Sequence, residues 1–425
     1  MHKRTETKRR TQGESSTTPP ALSEVMAPLV AGMTTTRRHL LEWVQAAGLV
    51  ALDAVFRDDA ESLAGPKGKH TPTRTHHHWG TTAREVTFGG RRLSVPCPRV
   101  RGLDGREAML PAIAAFRERD PLTTRVMEQL LVGVSTRGYA RSLEAPPAGG
   151  RARGSSKSAV SRVVVARTRA ELAQQLSRRL DTLDVVALFL DGVVVAQQTV
   201  IVALAVARDG TKEPLGLCLG STENAAICTQ LLQDLLARGL RIEERVLGVI
   251  DGGKGLRKAL ADVLGAAAVI QRCQLHKRRN LEALVPKARH AYLRAALQRA
   301  YRASSPAAAR RQLHALALWL ERTGHPDAAA SLREGLEETL TILKLGLPPT
   351  LRRFFVSTNC IENLVGTLRH VARNVKRWRD GEMIRRWVGL GLVRAAACFR
   401  RIKGHRDLAT LAAVLRAEPS SEHVA

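Results

Sequence analysis

The chain has 425 residues, and its 67 Lys and Arg outnumber 39 Asp and Glu to leave a formal net charge of +28. Such an excess repels itself unless a polyanion offsets it, which points to nucleic acid, while no apolar run approaches the ~20 residues needed to cross a bilayer. Six scattered cysteines with no CxxC pattern exclude a zinc ribbon or disulfide framework, and an aromatic content of 4% favours duplex DNA over a protein that grips single strands by stacking.

In chain order, residues 1–23 read as a disordered basic tail with no apolar signal core, as expected of a cytoplasmic, nucleoid-associated protein. The region 24–118 opens with a helix to about residue 60. KHTPTRTHHHWG (69–80) follows, then REVTFGGRRLSVPCPRVRG, whose alternation about Gly89-Gly90 predicts a β-hairpin with basic side chains on one face. The triplet His76-His77-His78 is not taken as a metal site, because consecutive histidines cannot all face one ion.

Residues 119–180 read as a helix-turn-helix-like DNA-binding region. A short helix, a turn at Gly133-Val134-Ser135, a second helix and a Pro/Gly-rich loop precede a Ser-capped segment from Ser155 to Arg169. That segment carries Ser158, Ser161, Arg162, Arg167 and Arg169, as a recognition helix would. An ordinary helical pair with solvated arginines has the same pattern.

The texture becomes α/β over 181–281. VVALFLD (185–191), VVVAQQ, VIVALAVARDG and KEPLGLCLG read as strands, 221–240 as a helix, and RVLGVID (245–251) as a buried strand. A helix then starts at KGLRKALADVLG, and AAAVIQ forms a last short strand. This alternation predicts a mixed sheet covered on both faces. Residues 282–348 lose the strands and predict an all-helical insertion. The final helices of the α/β core follow at 349–402, and 403–425 is a C-terminal tail.

Asp191 closes the apolar run VALFL, and Asp251 closes VLGVI. A carboxylate beside an apolar strand is costly unless paired or bound to a cation. Either Asp alone reads as a cap or turn residue. On adjacent strands, roughly 4.8 Å apart, the two could share a divalent ion. Glu362 begins the helix in STNCIENLVGTLRHV (357–371), where Ile361, Leu364, Val365, Leu368, Val371 and Val375 recur at helical spacing. With Asn359 as N-cap, Glu362 fits a capping box. Gly366 at i+4, however, leaves the surface beside it bare, and Arg369 and Arg373 follow on the same face at i+7 and i+11. A carboxylate, a gap and two arginines suit a phosphodiester lying along the helix. Asp191, Asp251 and Glu362 together could hold two Mg²⁺ ions for in-line attack on phosphorus.

The blocks FLDGVVV, VIDGGKGLRKAL, QRCQLHKRRN and STNCIENLVGTLR, in that order, resemble the DDE transposases of bacterial insertion sequences related to the Mutator transposons. The resemblance runs over roughly residues 120–400. It implies an RNase H-like fold with a helical insertion, and a catalytic, metal-binding triad of Asp191, Asp251 and Glu362. Mg²⁺, with Mn²⁺ as substitute, would support strand cleavage and transfer at terminal inverted repeats. The Q-R-C-x-x-H-K-x-R-N block falls on Gln271, Arg272, Cys273, His276, Lys277, Arg279 and Asn280, so Cys273, His276, Lys277 and Arg279 join Arg162, Arg167, Arg369 and Arg373 as expected DNA contacts. Trp378 in VKRWRD could stack on a flipped base, but a tryptophan at helical spacing reads first as packing. A homo-oligomer is expected, because two element ends must meet; neither a membrane nor a protein partner is implied. A structure-specific nuclease and a non-catalytic repressor derived from a transposase are the alternatives.

Overall fold

The computed structural model describes residues 37–69, 73–118, 121–146, 152–220 and 224–417. The basic tail expected at 1–23 lies outside these residues, as does 418–425. Two compact units emerge, one ending at Val163 and one running from Val164 onward.

In the first unit, helix α1 (Arg37–Ala64) covers a hairpin of β1 (His76–Phe88) and β2 (Arg91–Gly102). The hairpin turn is Gly89-Gly90, with φ +57° and +77°, the left-handed pair that a two-residue turn needs and glycine supplies without steric cost. Strand β2 alternates buried and exposed from Arg91 to Cys97, so Leu93, Val95 and Cys97 pack with Phe56 and Ala60. The same period corrects the expected basic face. Arg91 and Arg92 are consecutive, so Arg91 is buried while Arg92 is exposed. Short strands β3 (Glu107–Ala108) and β4 (Ala152–Arg153) both pair with β2. Of the histidine triplet, His78 Nε2 is 2.8 Å from the Gly65 carbonyl and His76 Nδ1 is 3.0 Å from the Thr75 hydroxyl. Helices α2 (Pro111–Glu118) and α3 (Pro121–Leu131) follow. The second helix expected after Gly133-Val134-Ser135 is a single 3₁₀ turn at Tyr139–Ser142, beyond which α4 (Lys157–Ser177) begins.

The second unit is built on a five-stranded sheet in the order β7-β6-β5-β8-β9. Its strands are β5 (Val185–Val195), β6 (Gln198–Ala207), β7 (Lys212–Gly220), β8 (Val246–Ile250) and β9 (Ala268–Arg272). The first three run antiparallel, whereas β5, β8 and β9 are mutually parallel. Both faces are covered, which explains the continuous apolar runs. On one face α5 (Ala225–Ala237) and α6 (Lys254–Leu264) bury Leu231, Leu235, Leu256 and Leu260 against Leu188, Leu190 and Ile250. Asn224 caps α5 by accepting from the Ile227 N–H at 3.0 Å.

After β9 come α7 (Gln274–Ala283), α8 (His290–Tyr301), α9 (Pro306–Arg322) and α10 (Pro326–Arg333). Two single turns, Leu336–Thr339 and Thr341–Lys344, lead to α11 (Pro349–Phe355). Helices α8 to α10 form the expected helical insertion around their own core of Leu293, Leu297, Leu313, Leu320 and Leu332. The other sheet face is closed by α12 (Asn359–Val371), α13 (Gly381–Cys398) and α14 (Leu408–Arg416), whose Ile361, Leu364, Val388 and Leu411 meet Phe189 and Val249. Trp378 packs against this core as expected, although it lies between α12 and α13 and not on a helix. No helix among the described residues is long and apolar enough to cross a membrane.

Candidate active site

Strands β5 and β8 pair in parallel from Ala187–Leu247 to Leu190–Ile250. Asp191 and Asp251 are the next residue on each strand, so they stand side by side where that ladder ends. Side chains alternate along a strand, which puts both carboxylates on the face of Phe189 and Val249, the face that α12 covers. Asp191 is not a strand end, contrary to the run-based reading. It lies within β5, opposite Val202 of β6, because β5 continues into a hairpin after leaving β8. The Asp251 carboxylate accepts from the Gly253 N–H at 2.8 Å, which orders the turn before α6.

Asp191 is 5% exposed, and neither it nor Asp251 makes an ion pair among the described residues. Burial first, and the neighbouring negative charge of Asp251 second, push the Asp191 carboxyl up to about 7. His276, the Thr358 hydroxyl and the Gly192 N–H pull in the opposite direction without prevailing.

Cys273 links the pair to Glu362. Its own N–H donates to the Ile250 carbonyl at 2.7 Å, one residue before Asp251. Its buried Sγ caps α7 by accepting from the His276 N–H at 3.4 Å and receives the Thr358 N–H at the same distance. Burial alone would raise the thiol, but the hydrogen bonds from His276 and Thr358 outweigh it and hold it below its usual range. Thr358 Oγ1 also lies 3.3 Å from His276 Nδ1. His276 is pushed up to about 9 by its hydrogen bond with Cys273 and then by the charges of Cys273, Asp191 and Asp251, against the effect of burial. A cationic imidazole therefore stands among the acidic groups.

Glu362 sits in the first turn of α12. The N-cap is Thr358 rather than Asn359, and it makes no side-chain cap bond, so the capping-box geometry is not formed. Instead Glu362 Oε1 receives the Arg279 guanidinium and lies 3.9 Å from His276 Nε2. No group of three His, Cys, Asp or Glu among the described residues is arranged to hold a metal ion. Gly366 faces open space, since a Cβ there would meet nothing within 4 Å.

The remaining expected DNA contacts divide sharply. Arg369 is exposed on α12. Arg373 is exposed too, but α12 stops at Val371, so Arg373 lies beyond the helix with its guanidinium 3.4 Å from the His370 ring. Arg162 is exposed on α4, and Arg167 pairs with Glu171 at 2.8 Å. Cys273 and Lys277 are wholly enclosed and offer no surface to a strand. Lys277 Nζ donates to the carbonyls of Ser331 (2.5 Å) and Glu334 (2.6 Å), and burial, then Arg272, lower it to about 8.

Two contributors were not singled out from the sequence. Thr358 is one, and its place in the STNCIENLVGTLR block is the signal that could have found it. Arg272 packs its guanidinium against Gly252 and Gly335, at φ +108° and +62°, so that a Cβ on Gly252 would stand 2.1 Å from Arg272 Nε. It also donates to the Glu334 carbonyl at 3.0 Å, joining the Asp251 turn to the insertion.

The family model described as "Transposase, Mutator family" matches residues 42–401. The chain belongs to the Mutator family of transposases. Relatives of this family member include a probable transposase for insertion sequence element ISRM3-like from Sinorhizobium fredii and the transposase for ISRM3 from Rhizobium meliloti. Each is 31% identical over 208 residues, 49% of this chain and 50% of the relative. The chain thus spans about half the length of these two. The transposase for insertion sequence element IS905 of Lactococcus lactis is 27% identical over 313 residues, covering 72% and 75%.

Proposed function

We propose that this Mutator-family protein is an insertion-sequence transposase that binds the terminal inverted repeats of its element and catalyses Mg²⁺-dependent DNA cleavage and strand transfer through Asp191, Asp251 and Glu362. The observation that carries this reading is the side-by-side placement of Asp191 and Asp251 at the end of the β5–β8 ladder, beneath the helix that bears Glu362. The sheet order supports an RNase H-like core: its first strand, β5, is central, β6 alone runs opposite to the others, and β8 and β9 lie parallel on the other side of β5. The names of the relatives support the DNA substrate.

The donor chemistry fits a hard divalent cation. Two carboxylates stand side by side and make no ion pair among the described residues, and burial first, then the charge of Asp251, raises the Asp191 carboxyl. Glu362 completes the set on leaving Arg279. Bound there, the ions would activate the attacking water or 3′-hydroxyl and stabilise the leaving 3′-oxygen.

The chain's own residues supply the rest. The two Asp backbones are held by β-ladder and turn, so the carboxylates are placed before substrate arrives. His276 holds a proton at neutral pH, fixed by Cys273 and Thr358, and its Nε2 faces the Glu362 side of the site. Arg279, once released by Glu362, and Arg369 flank the open surface at Gly366 and neutralise phosphates on either side of the scissile bond. Arg162, exposed on α4, contributes sequence-independent grip. The protein acts as a homo-oligomer, because both ends must be held for joining.

The test is to incubate wild type and Glu362→Gln with Mg²⁺ and a duplex carrying the element's flanking repeat. Nicked and joined products from wild type alone are expected. Hydrolysis without joining would overturn the transferase reading, and equal binding without any product from either protein would remove the catalytic one.

A further inference from the structure

The helical insertion carries an aromatic pair that its own packing does not use up. Tyr292 on α8 stands with its ring centroid 4.4 Å from that of Trp319 on α9, the rings tilted by 39°. Trp319 packs its other side against the insertion core, whereas Tyr292 lies at the surface and is 52% exposed. One turn further along the helix stand Ala295 and Ala296, too small to cover a ring, and one turn before it stands Arg289. Leu318, beside Trp319, is also exposed.

Charge marks the same surface. The Arg289 guanidinium lies 5.5 Å from the Trp319 centroid, within cation–π range. Three arginines of the insertion are matched to acids, Arg294 with Glu282, Arg310 with Glu337 and Arg333 with Glu321, while Arg302 and Arg311 have no ion pair among the described residues. Arg289, Arg299 (two turns along from Tyr292) and Arg322 (one turn from Trp319) are exposed and have no ion pair among the described residues. Exposed π-surface ringed by uncompensated guanidinium groups complements one kind of occupant: a flat, unpaired base attached to a phosphate backbone. A second copy of the chain would bring like charge to the same face.

Building on the DNA-processing reading above, we propose that Tyr292, backed by Trp319 and flanked by Arg289, is a stacking platform for an unpaired base of single-stranded DNA next to a duplex end. This assigns the insertion a binding role distinct from phosphate neutralisation.

The experiment compares full-length wild type, Tyr292→Ala, Tyr292→Phe and Tyr292→Leu by fluorescence anisotropy. The probes are one blunt duplex and the same duplex with a three-nucleotide single-stranded tail containing 2-aminopurine. Wild type should prefer the tailed duplex by roughly tenfold, with the 2-aminopurine emission quenched on binding. Phe should keep that preference, while Ala and Leu lose it with blunt-duplex affinity unchanged. Melting curves matched to wild type would show that Leu, which retains apolar bulk on the helix, remains folded. Equal preference in wild type and Leu overturns the proposal. So does a change in sedimentation without a change in preference, which would make the pair a contact between copies. Failure of wild type to bind even the blunt duplex would reject the DNA reading itself, an outcome separable from loss of tail preference alone.

Discussion

Asp191 and Asp251 occupy successive positions beyond the last register pair of two parallel strands, and the charge of Asp251 helps to keep Asp191 protonated. The sign of the consequence for stability follows from linkage. A carboxyl held at about 7 when folded and 3.8 when unfolded binds its proton more tightly in the native state. Stability therefore falls as pH rises from about 4 to about 7 and is level above that. In chelator-treated protein, Asp191→Asn should abolish this fall and be the more stable form at pH 8, by an amount on the order of 3 kcal/mol. Urea midpoints at pH 5 and pH 8 measure it. A wild-type advantage at pH 8 would show that the buried carboxylate is stabilised by something other than protonation.

Lys277 gives the opposite slope in a different window. Its ammonium is held at about 8, below its usual 10.5, chiefly by burial. The unfolded chain then binds the extra proton between pH 8 and about 10, so this group makes stability rise across that range. Comparing Lys277→Met with wild type isolates it from His276, whose raised pKa acts in the other direction. The stability difference between the two proteins should shift in favour of wild type by roughly 2 kcal/mol from pH 8 to pH 10. A pH-independent difference would place the Lys277 amine in contact with water.

Gly252 is fixed by its surroundings on two counts. It has φ +108°, and an added Cβ would meet an Arg272 side chain that is 6% exposed and tied to Glu334. Gly252→Ala should cost about 2–4 kcal/mol from left-handed strain and overpacking combined. Pairing it with Arg272→Ala should recover part of the loss, a non-additivity that a double-mutant cycle reads directly. Strictly additive effects would mean that Arg272 does not rest against this turn.

Thiol reactivity separates burial from acidity. Cys273 is held below its usual range yet is wholly enclosed, whereas burial pushes Cys360 up to about 12 and Cys398 is exposed. A disulfide reagent on native protein should show one fast phase belonging to Cys398, and Cys398→Ser should remove it. Fast labelling of Cys273 would falsify the closed network around its sulfur.

The sheet and its two aspartates were legible because their signals are local. An apolar run of five or six residues covered on both faces needs no distant partner to be recognised, and a carboxylate at its end stands out against it. Turn chemistry at Gly89-Gly90 and the Ala/Leu/Arg-rich texture of the insertion are equally local. Three things were settled only by tertiary structure. Arg279 and Glu362 meet across 83 residues of sequence because β9 delivers α7 beside α12. Lys277 and Cys273, which read as DNA contacts within a basic block, are enclosed because the insertion returns the Ser331 and Glu334 carbonyls onto Lys277 and the start of α12 brings Thr358 onto the thiol. The end of α12 at Val371, two residues short of Arg373, is likewise invisible in an apolar period that runs on to Val375. Periodicity reports which side of an element avoids water; which distant groups cover the other positions depends on how the elements pack, and that is where burial, protonation and ion pairing are decided.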